Sequence, residues 1–372
     1  ANGYYAAPAD IESKETVKTA IGIVDAQIDF NKVWTLKPRL SYRFNKDDYI
    51  FVRQKPEVYR NIHQTNVWDL ELNNIFHTKI GTFGLGLEWR QDNISSARLG
   101  NNMRDNFGVF AEYHFEYKNI ATINAGAYIN YNSVYGWNVF PGIDAGLNIT
   151  KHLRAYTSFG TGQRIPTYTD LFYKGPANIG NPNLKPEQML QPELGLRYSS
   201  IMLSANAAYF YRHGSNFIDW ARTDTTQPWQ PENYNILNTH GFTLATNFRF
   251  IPEEKYANFQ AQLGISYTYL SPKADVATDE NGNTVLSKYT INSLKHQFIS
   301  SLNLNFFNKV NLSLNGRYNQ RFNAANVSGF TLSSYFILDA KLAYSAKHWS
   351  VYLAASNLLD VQYIESGLAP LP

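Results

Sequence analysis

Apolar and polar residues alternate along most of this chain, segment after segment, from about Glu15 onward. Phe259, Ala261, Leu263, Ile265, Tyr267 and Tyr269 fall on one side of such a segment, and Gln260, Gln262, Gly264, Ser266 and Thr268 on the other. Leu302, Leu304 and Phe306 alternate with Ser301, Asn303 and Asn305, and Val310, Leu312, Leu314 and Tyr318 continue the pattern beyond Asn308-Lys309. Phe107, Val109, Ala111, Tyr113 and Phe115 repeat it, as do Ala121, Ile123, Ala125, Ala127 and Ile129. A period of two is the signature of strands with one greasy and one wet face. The pattern alone fits a soluble sandwich as well as a membrane barrel, because the two differ only in where the apolar face points.

Segment length and loop asymmetry separate those readings. The segments run about ten to fourteen residues, longer than soluble strands and suited to a tilted crossing of a bilayer. Short turns are expected near Asn31-Lys32, His77-Thr78, Lys118-Asn119, Lys151-His152, Ser199-Ser200, Pro252–Lys255, Asn308-Lys309 and Ala346-Lys347. Longer connections are expected near Asn45–Asn61, Gln91–Arg104, Arg164–Glu187, Arg212–Asn235, Leu270–Lys295 and Arg321–Ser333, with Asn132–Gly136 a shorter exception. Short turns on one side and long loops on the other is the layout of a bacterial outer-membrane barrel. The fold class expected is therefore all-β, a transmembrane antiparallel barrel wall of about sixteen strands.

Composition supports this picture and removes competitors. Of 372 residues, 15% are aromatic, with 26 Tyr and 23 Phe, only 17% are charged, and mean hydropathy is -0.36. No stretch approaches the roughly eighteen apolar residues of a transmembrane helix, whereas a barrel needs only every second residue to face lipid. A net charge of +3 argues for no nucleic-acid partner. The chain has no cysteine, which excludes disulfide and thiolate chemistry. Its start, Ala1-Asn-Gly-Tyr-Tyr, shows no signal-peptide pattern.

The longest structured connection runs from Arg164 to Glu187. Pro166, Pro176, Pro182 and Pro186 forbid regular structure there, and Gly175 and Gly180 allow tight turns. The stretch Arg164, Pro166, Thr167, Asp170, Leu171, Tyr173, then Gly180-Asn181-Pro182-Asn183-Leu184-Lys185-Pro186-Glu187, then Glu193 and Gly195, resembles the long-loop signature of TonB-dependent outer-membrane receptors. Asn357, Leu358, Asp360, Tyr363, Pro370 and Pro372 resemble the same family's closing stretch, with Leu359 where Phe is usual. The resemblance implies a barrel of about twenty-two strands, of which this chain supplies approximately the sixth to the twenty-first. The plug, its TonB-contacting segment and the other strands then lie outside the sequence. It implies an outer-membrane location in a Gram-negative cell, active uptake of a scarce small molecule with the TonB complex as partner, a possible surface lipoprotein lid, and contact with lipid and lipopolysaccharide. The form of the Arg164–Tyr173 stretch is most similar to the cobalamin-receptor branch, with haem and iron-siderophore receptors as alternatives. A passive porin or an adhesion barrel is the alternative from another class.

Candidate ligand contacts are the loop aromatics and amides: Tyr168, Phe172, Tyr173 and Asn178 in the signature loop, and Phe217, Trp220, Trp229 and Tyr234 in the connection around 212–235. Each ring competes with a purely structural role, packing loops together or sitting at the membrane interface. Tyr113, Tyr131, Tyr209, Tyr211, Tyr267, Tyr269 and Tyr344 read as aromatic girdle. The eight histidines are scattered, with no pair at metal-ligand spacing, and no resident metal or cofactor is expected. Gly160-Thr-Gly162 lacks the helix and Lys-Ser/Thr of a phosphate loop. Asp279-Glu-Asn-Gly-Asn283 reads as a hairpin turn rather than a calcium loop. With no Gly-x-Ser-x-Gly elbow, the sequence gives no support for a hydrolase.

Overall fold

The structure is a computed structural model and describes residues 13–175, 177–224, 226–250, 258–274, 286–287, 294–321 and 334–363. Among these the chain forms one antiparallel sheet: β1 (Lys14–Asp25), β2 (Ile28–Asp29), β3 (Trp34–Ile50), β4 (Arg60–Thr78), β5 (Gly81–Ser96), β6 (Gly100–Tyr117), β7 (Ala121–Asn132), β8 (Gly136–Asn148), β9 (Leu153–Arg164), β10 (Glu187–Ser199), β11 (Leu203–Arg222), β12 (Gln230–Phe250), β13 (Phe259–Ala274), β14 (Leu286–Ser287), β15 (Leu294–Phe306), β16 (Val310–Arg321), β17 (Tyr335–Ser345) and β18 (Ser350–Ala355). Two of these strands are two-residue pieces. β2 continues the path of β1 along β3, and β14 pairs with the tip of β11. The remaining sixteen run up and down, each long strand paired with the next, which matches the expected number of spans.

The registers show which face meets lipid. Paired residues of an antiparallel sheet share a face, so Leu40, Leu70, Trp89, Phe107, Tyr131 and Trp137 form one row across β3 to β8. The adjacent row is Ser41, Asp69, Arg90, Asn106 and Asn132. The apolar face is the exposed one: Val109 is 47% accessible and Trp137 70%, while Asn132 is wholly buried. That polarity is inverted relative to a soluble barrel and is what hydrocarbon solvent demands. Where the inner wall is crowded, small residues make room, as at Gly86 beneath the Phe110 ring. At the short-turn end, rings gather into a belt: Phe30 stacks on Trp34 at 4.1 Å, Phe83 on Tyr113 at 4.6 Å, and Tyr344 lies 5.4 Å from Trp349. Such belts mark the membrane interface. No helix among the described residues is long and apolar enough to cross a membrane.

The strands outrun the sequence expectation at the other end. β11 and β12 hold 20 and 21 residues; at about 3.3 Å per residue each is roughly 65 Å long, against an apolar band of about 25 Å. The connection expected at Gln91–Arg104 shrinks to residues 97–99, and that at Arg212–Asn235 to residues 223–229. Above the bilayer neither face is greasy, so the period-two signal fades in Gln91-Asp-Asn-Ile-Ser-Ser96. The backbone ladder nevertheless continues because its N–H and C=O groups must pair. The expected turns at Pro252–Lys255 and Asn281-Gly282, and Pro370 and Pro372, lie outside the described residues.

Candidate functional site

Residues 165–186 fold down onto the protruding strand ends instead of looping freely. Pro166 is fully buried and Thr167 caps a single helical turn, α1 (Tyr168–Phe172). The cap is reciprocal: Thr167 Oγ1 accepts from Asp170 N at 3.1 Å, and Asp170 Oδ2 accepts from Thr167 N at 3.0 Å. This Thr-x-x-Asp pairing satisfies donors that a short helix leaves open. Leu171 turns inward against Leu184 and Ile218, with Phe172 packed beside them.

Charged groups then lock the loop to its stem. Arg164 ends β9 opposite Glu187, the first residue of β10, and forks onto its carboxylate at 2.6 Å through both Nε and Nη2. Its Nη1 also lies 3.7 Å from Asp170 Oδ2. Glu187 Oε1 accepts a further bond from Ile218 N at 2.7 Å. Asp170, only 7% exposed, accepts from the Trp220 indole N–H at 3.1 Å. Bidentate and charge-assisted bonds of this kind fix geometry as well as adding energy.

The returning half of the loop is equally tied. Gly180 donates to the Tyr173 carbonyl at 2.7 Å and Asn181 N to Asp170 O at 2.8 Å. A Cβ on Gly180 would stand 2.7 Å from backbone atoms of Leu171 and Phe172, so the site requires glycine. Asn181 Nδ2 reaches the Pro231 carbonyl, and the Asn233 side chain brackets Lys185, accepting from its N at 2.8 Å and donating to its O at 2.9 Å. Pro182 sits in the turn that precedes buried Leu184, and Pro186 leads directly into β10.

Two contacts carry the loop across the sheet. Arg104, from β6, donates to the Pro166 carbonyl at 2.7 Å and lays its guanidinium 4.1 Å from the Tyr168 ring centroid; Tyr168 in turn donates to Asp92 O at 3.0 Å. Tyr173 meets Tyr59, from the β3–β4 connection, hydroxyl to hydroxyl at 2.9 Å, with Arg98 over the Tyr59 ring at 4.9 Å. Burial first, and then the hydrogen bond to Tyr59, push the Tyr173 hydroxyl up to about 12. Burial raises Tyr168 as well, against the pull of Arg104.

Of the eight sequence-predicted contacts, Tyr168, Phe172, Tyr173 and Asn178 come together in this platform, all half-buried. Asn178 forms a parallel bridge with Trp229, over whose ring Arg222 sits at 4.3 Å. Phe217, Trp220 and Tyr234 belong to strands β11 and β12 rather than to a loop. Trp220 is 8% exposed; of Tyr234 the backbone is described, paired with Phe217. Phe217 lines a cleft of about 590 Å³ between loop and strand, bordered by Thr167, Thr169 and Trp220. A larger cavity of about 710 Å³ opens below Ile165 on the inner wall, among Glu88, Arg90, Arg104 and Asn130. The closing stretch is also a built turn: Asn357 and Asp360 adopt positive φ, Asn357 exchanges bonds with Val361, and the Tyr363 ring lies 4.8 Å from Tyr335. Arg104, Tyr59, Arg98 and Asn233 escaped sequence reasoning because isolated polar residues in fading strands carry no periodic or motif signal.

A family model described as TonB dependent receptor-like, beta-barrel matches residues 2–358. Among curated proteins, the chain is 26% identical over 297 residues to the vitamin B12 transporter BtuB of Photobacterium profundum, an alignment covering 76% of this chain and 44% of that protein. It is 27% identical over 172 residues to a vitamin B12 transporter BtuB of Vibrio vulnificus, covering 45% and 27%. The chain thus spans less than half the length of the curated relatives it matches. Among solved structures it is similar to the FrpB iron transporter from Neisseria meningitidis (F3-3 variant), with a TM-score of 0.73, 14% identity, and coverage of 96% and 61%. It is also similar to the siderophore receptor PirA from Pseudomonas aeruginosa, with a TM-score of 0.70, 15% identity, and coverage of 94% and 62%. At these identities the structural likeness shows the fold.

Proposed function

This chain belongs to the TonB-dependent receptor family of outer-membrane barrels, and from that premise we propose that it is barrel wall of a transporter that takes up cobalamin. The family is one of receptors and transporters, not enzymes. The observation that carries the cobalamin reading is the similarity to two proteins named vitamin B12 transporters, in an alignment reaching over three quarters of this chain in the longer case. The geometry is compatible with that ligand class. A large, partly apolar molecule suits a rigid platform of half-buried rings and amides above a polar, wide inner wall.

In this reading Phe172, Tyr173, Asn178, Phe217 and Trp229 offer the ligand surface. Arg164, Asp170, Glu187 and Trp220 hold that surface in place. Binding alone does no uphill work, so the cycle requires a plug that the TonB complex displaces, together with strands beyond this sequence to complete the barrel. A lid lipoprotein and lipopolysaccharide are further partners proposed on the family's account. Equilibrium binding of cyanocobalamin to the natural full-length polypeptide tests the proposal. Saturable binding that weakens in a Phe217→Ala, Trp229→Ala double variant supports it; no binding, with a ferric siderophore bound instead, would replace the ligand while leaving the family intact.

A further inference from the structure

The short turns of the wall share a composition. The connections at 30–33, 79–80, 118–120, 149–152, 307–309 and 346–349 hold Lys32, Lys79, Lys118, Lys151, Lys309 and Lys347 in order, and each lysine is exposed. Exposed apolar side chains stand beside them, among them Ile80, Ile120, Ile149, Phe307 and Trp349. The turn at 200–202 offers Ile201 without a lysine. None of these turns contains Asp or Glu, and only Asp29 and Glu116 come within three residues of a turn lysine. Asp29 is already engaged, accepting from the Thr35 hydroxyl at 2.7 Å. Among the described residues none of the six ammonium groups enters an ion pair; Lys118 lies 5.2 Å from its neighbour's ring centroid, that of Tyr117. The β12–β13 turn, whose sequence includes Glu253 and Glu254, lies outside the described residues. At the long-loop end, by contrast, acids such as Asp48, Asp92, Asp170 and Glu187 pair with the arginines.

Turn chemistry does not ask for these side chains. Lys118-Asn119 and Phe307-Asn308 are the central pairs of tight turns, closed by Ile120 N to Tyr117 O at 2.7 Å and by Lys309 N to Phe306 O at 3.0 Å. All four central residues have φ between 45° and 56°. Such turns favour Asn, Asp or Gly at both positions, and a long or bulky side chain is disfavoured there. Lysine and phenylalanine therefore stand in these turns against local preference, which points to contact outside the chain.

The turns lie just beyond the aromatic belt. Lys79 follows Phe76, 6.2 Å from the Trp34 ring, by three residues, about 10 Å along the strand. Tyr113, on the lipid face, donates to the Ile80 carbonyl, and Trp349 lies 5.4 Å from lipid-facing Tyr344. The apolar turn residues thus continue the lipid face, and the lysines stand one side-chain length beyond it, at headgroup depth. A bare apolar group that enters the boundary, next to an ammonium that meets phosphate, suits an anionic lipid surface. The distribution selects the occupant: the lysines recur from the turn before β3 to the turn before β18, whereas a protein partner would engage one sector.

We propose that the short turns form a row of cationic anchors that binds the anionic phosphate headgroups of phospholipids in the periplasmic leaflet. The row sets the depth of the wall in the bilayer and is independent of which cargo is carried. The test is electron spin resonance of the natural full-length polypeptide in phosphatidylcholine vesicles carrying a trace of spin-labelled phosphatidylglycerol or spin-labelled phosphatidylcholine. The immobilised lipid should favour phosphatidylglycerol about fivefold, the factor that one basic residue ordinarily supplies near an anionic surface. The preference should fall toward parity in about 1 M salt, and likewise in the combined Lys→Gln variant of the six turn lysines. Lys46→Gln, Lys55→Gln and Lys174→Gln together, at the long-loop end, should keep it, and the compact band on unheated gels verifies that each variant is folded. A preference that survives the six-lysine variant would overturn the proposal. Equal immobilisation of the two lipids by the unsubstituted protein would also overturn it, and turn lysines then shielded from acetylation only in intact envelopes would belong to a periplasmic protein contact.

Discussion

Asp170 shows how one side chain fixes the platform. Its carboxylate accepts from the Thr167 backbone, the Thr167 hydroxyl and the Trp220 indole while almost fully buried. Trp220→Phe keeps an aromatic ring but removes one bond to a charged acceptor, at a cost of about 1.5–3 kcal/mol, and the smaller ring adds a cavity cost at this buried position. Because the strands beneath are held by their own ladder, the loss should appear as faster hydrogen exchange confined to residues 165–184, with the barrel's melting unchanged; global destabilisation would mean the loop helps hold the wall. Tyr173 gives a second residue-level test. Its hydroxyl is raised to about 12 from an ordinary value near 10, so the folded state favours the neutral form. Its contribution is fully present below about pH 10 and is lost as pH rises toward 12. A difference titration of tyrosinate absorbance, wild type minus Tyr173→Phe, should show a phenol ionising near 12; ionisation at the ordinary value would show that the Tyr173 hydroxyl is solvated, with the loop lifted off the strand ends.

At the level of elements, the alternation of Phe107, Val109, Ala111, Tyr113 and Phe115 made β6 legible from sequence, and the register places all five on the lipid face. Val109→Lys near mid-membrane should therefore cost about 2–4 kcal/mol, read as a lower urea midpoint for folding into vesicles. Gly160→Ser on the inner face, where a Cβ meets nothing within 4 Å, should shift it little. Equal effects would reverse the assignment of faces. What sequence did not reveal were the strand ends above the membrane. Ile94, Ser95 and Ser96 stay in β5 through the backbone ladder, with Ile94 buried and the two serine hydroxyls bonded to Asn101 and to the turn N–H groups of Arg98 and Leu99, none of which repeats with period two; Trp220 was read as a loop residue because β11 continues past the alternating part. The signature loop itself was legible as a bounded unit, since Arg164 and Glu187 do close it. Its internal locks were not, because the Arg104–Pro166 and Tyr59–Tyr173 contacts join positions 62 and 114 residues apart, and no local pattern encodes such pairs.

For the whole molecule, an exposed apolar band, a turn-end aromatic belt and a long-loop platform describe a wall that separates two aqueous spaces and presents a fixed surface to one of them. The proposed function adds an energy source, uptake coupled to TonB rather than passive diffusion. The most direct test is accumulation of labelled cobalamin by cells whose only outer-membrane route is the natural full-length protein, compared with and without a functional TonB complex. Saturable accumulation that disappears when TonB is lost is the predicted result. Accumulation that is linear in concentration and indifferent to TonB would contradict active transport and make the barrel a pore.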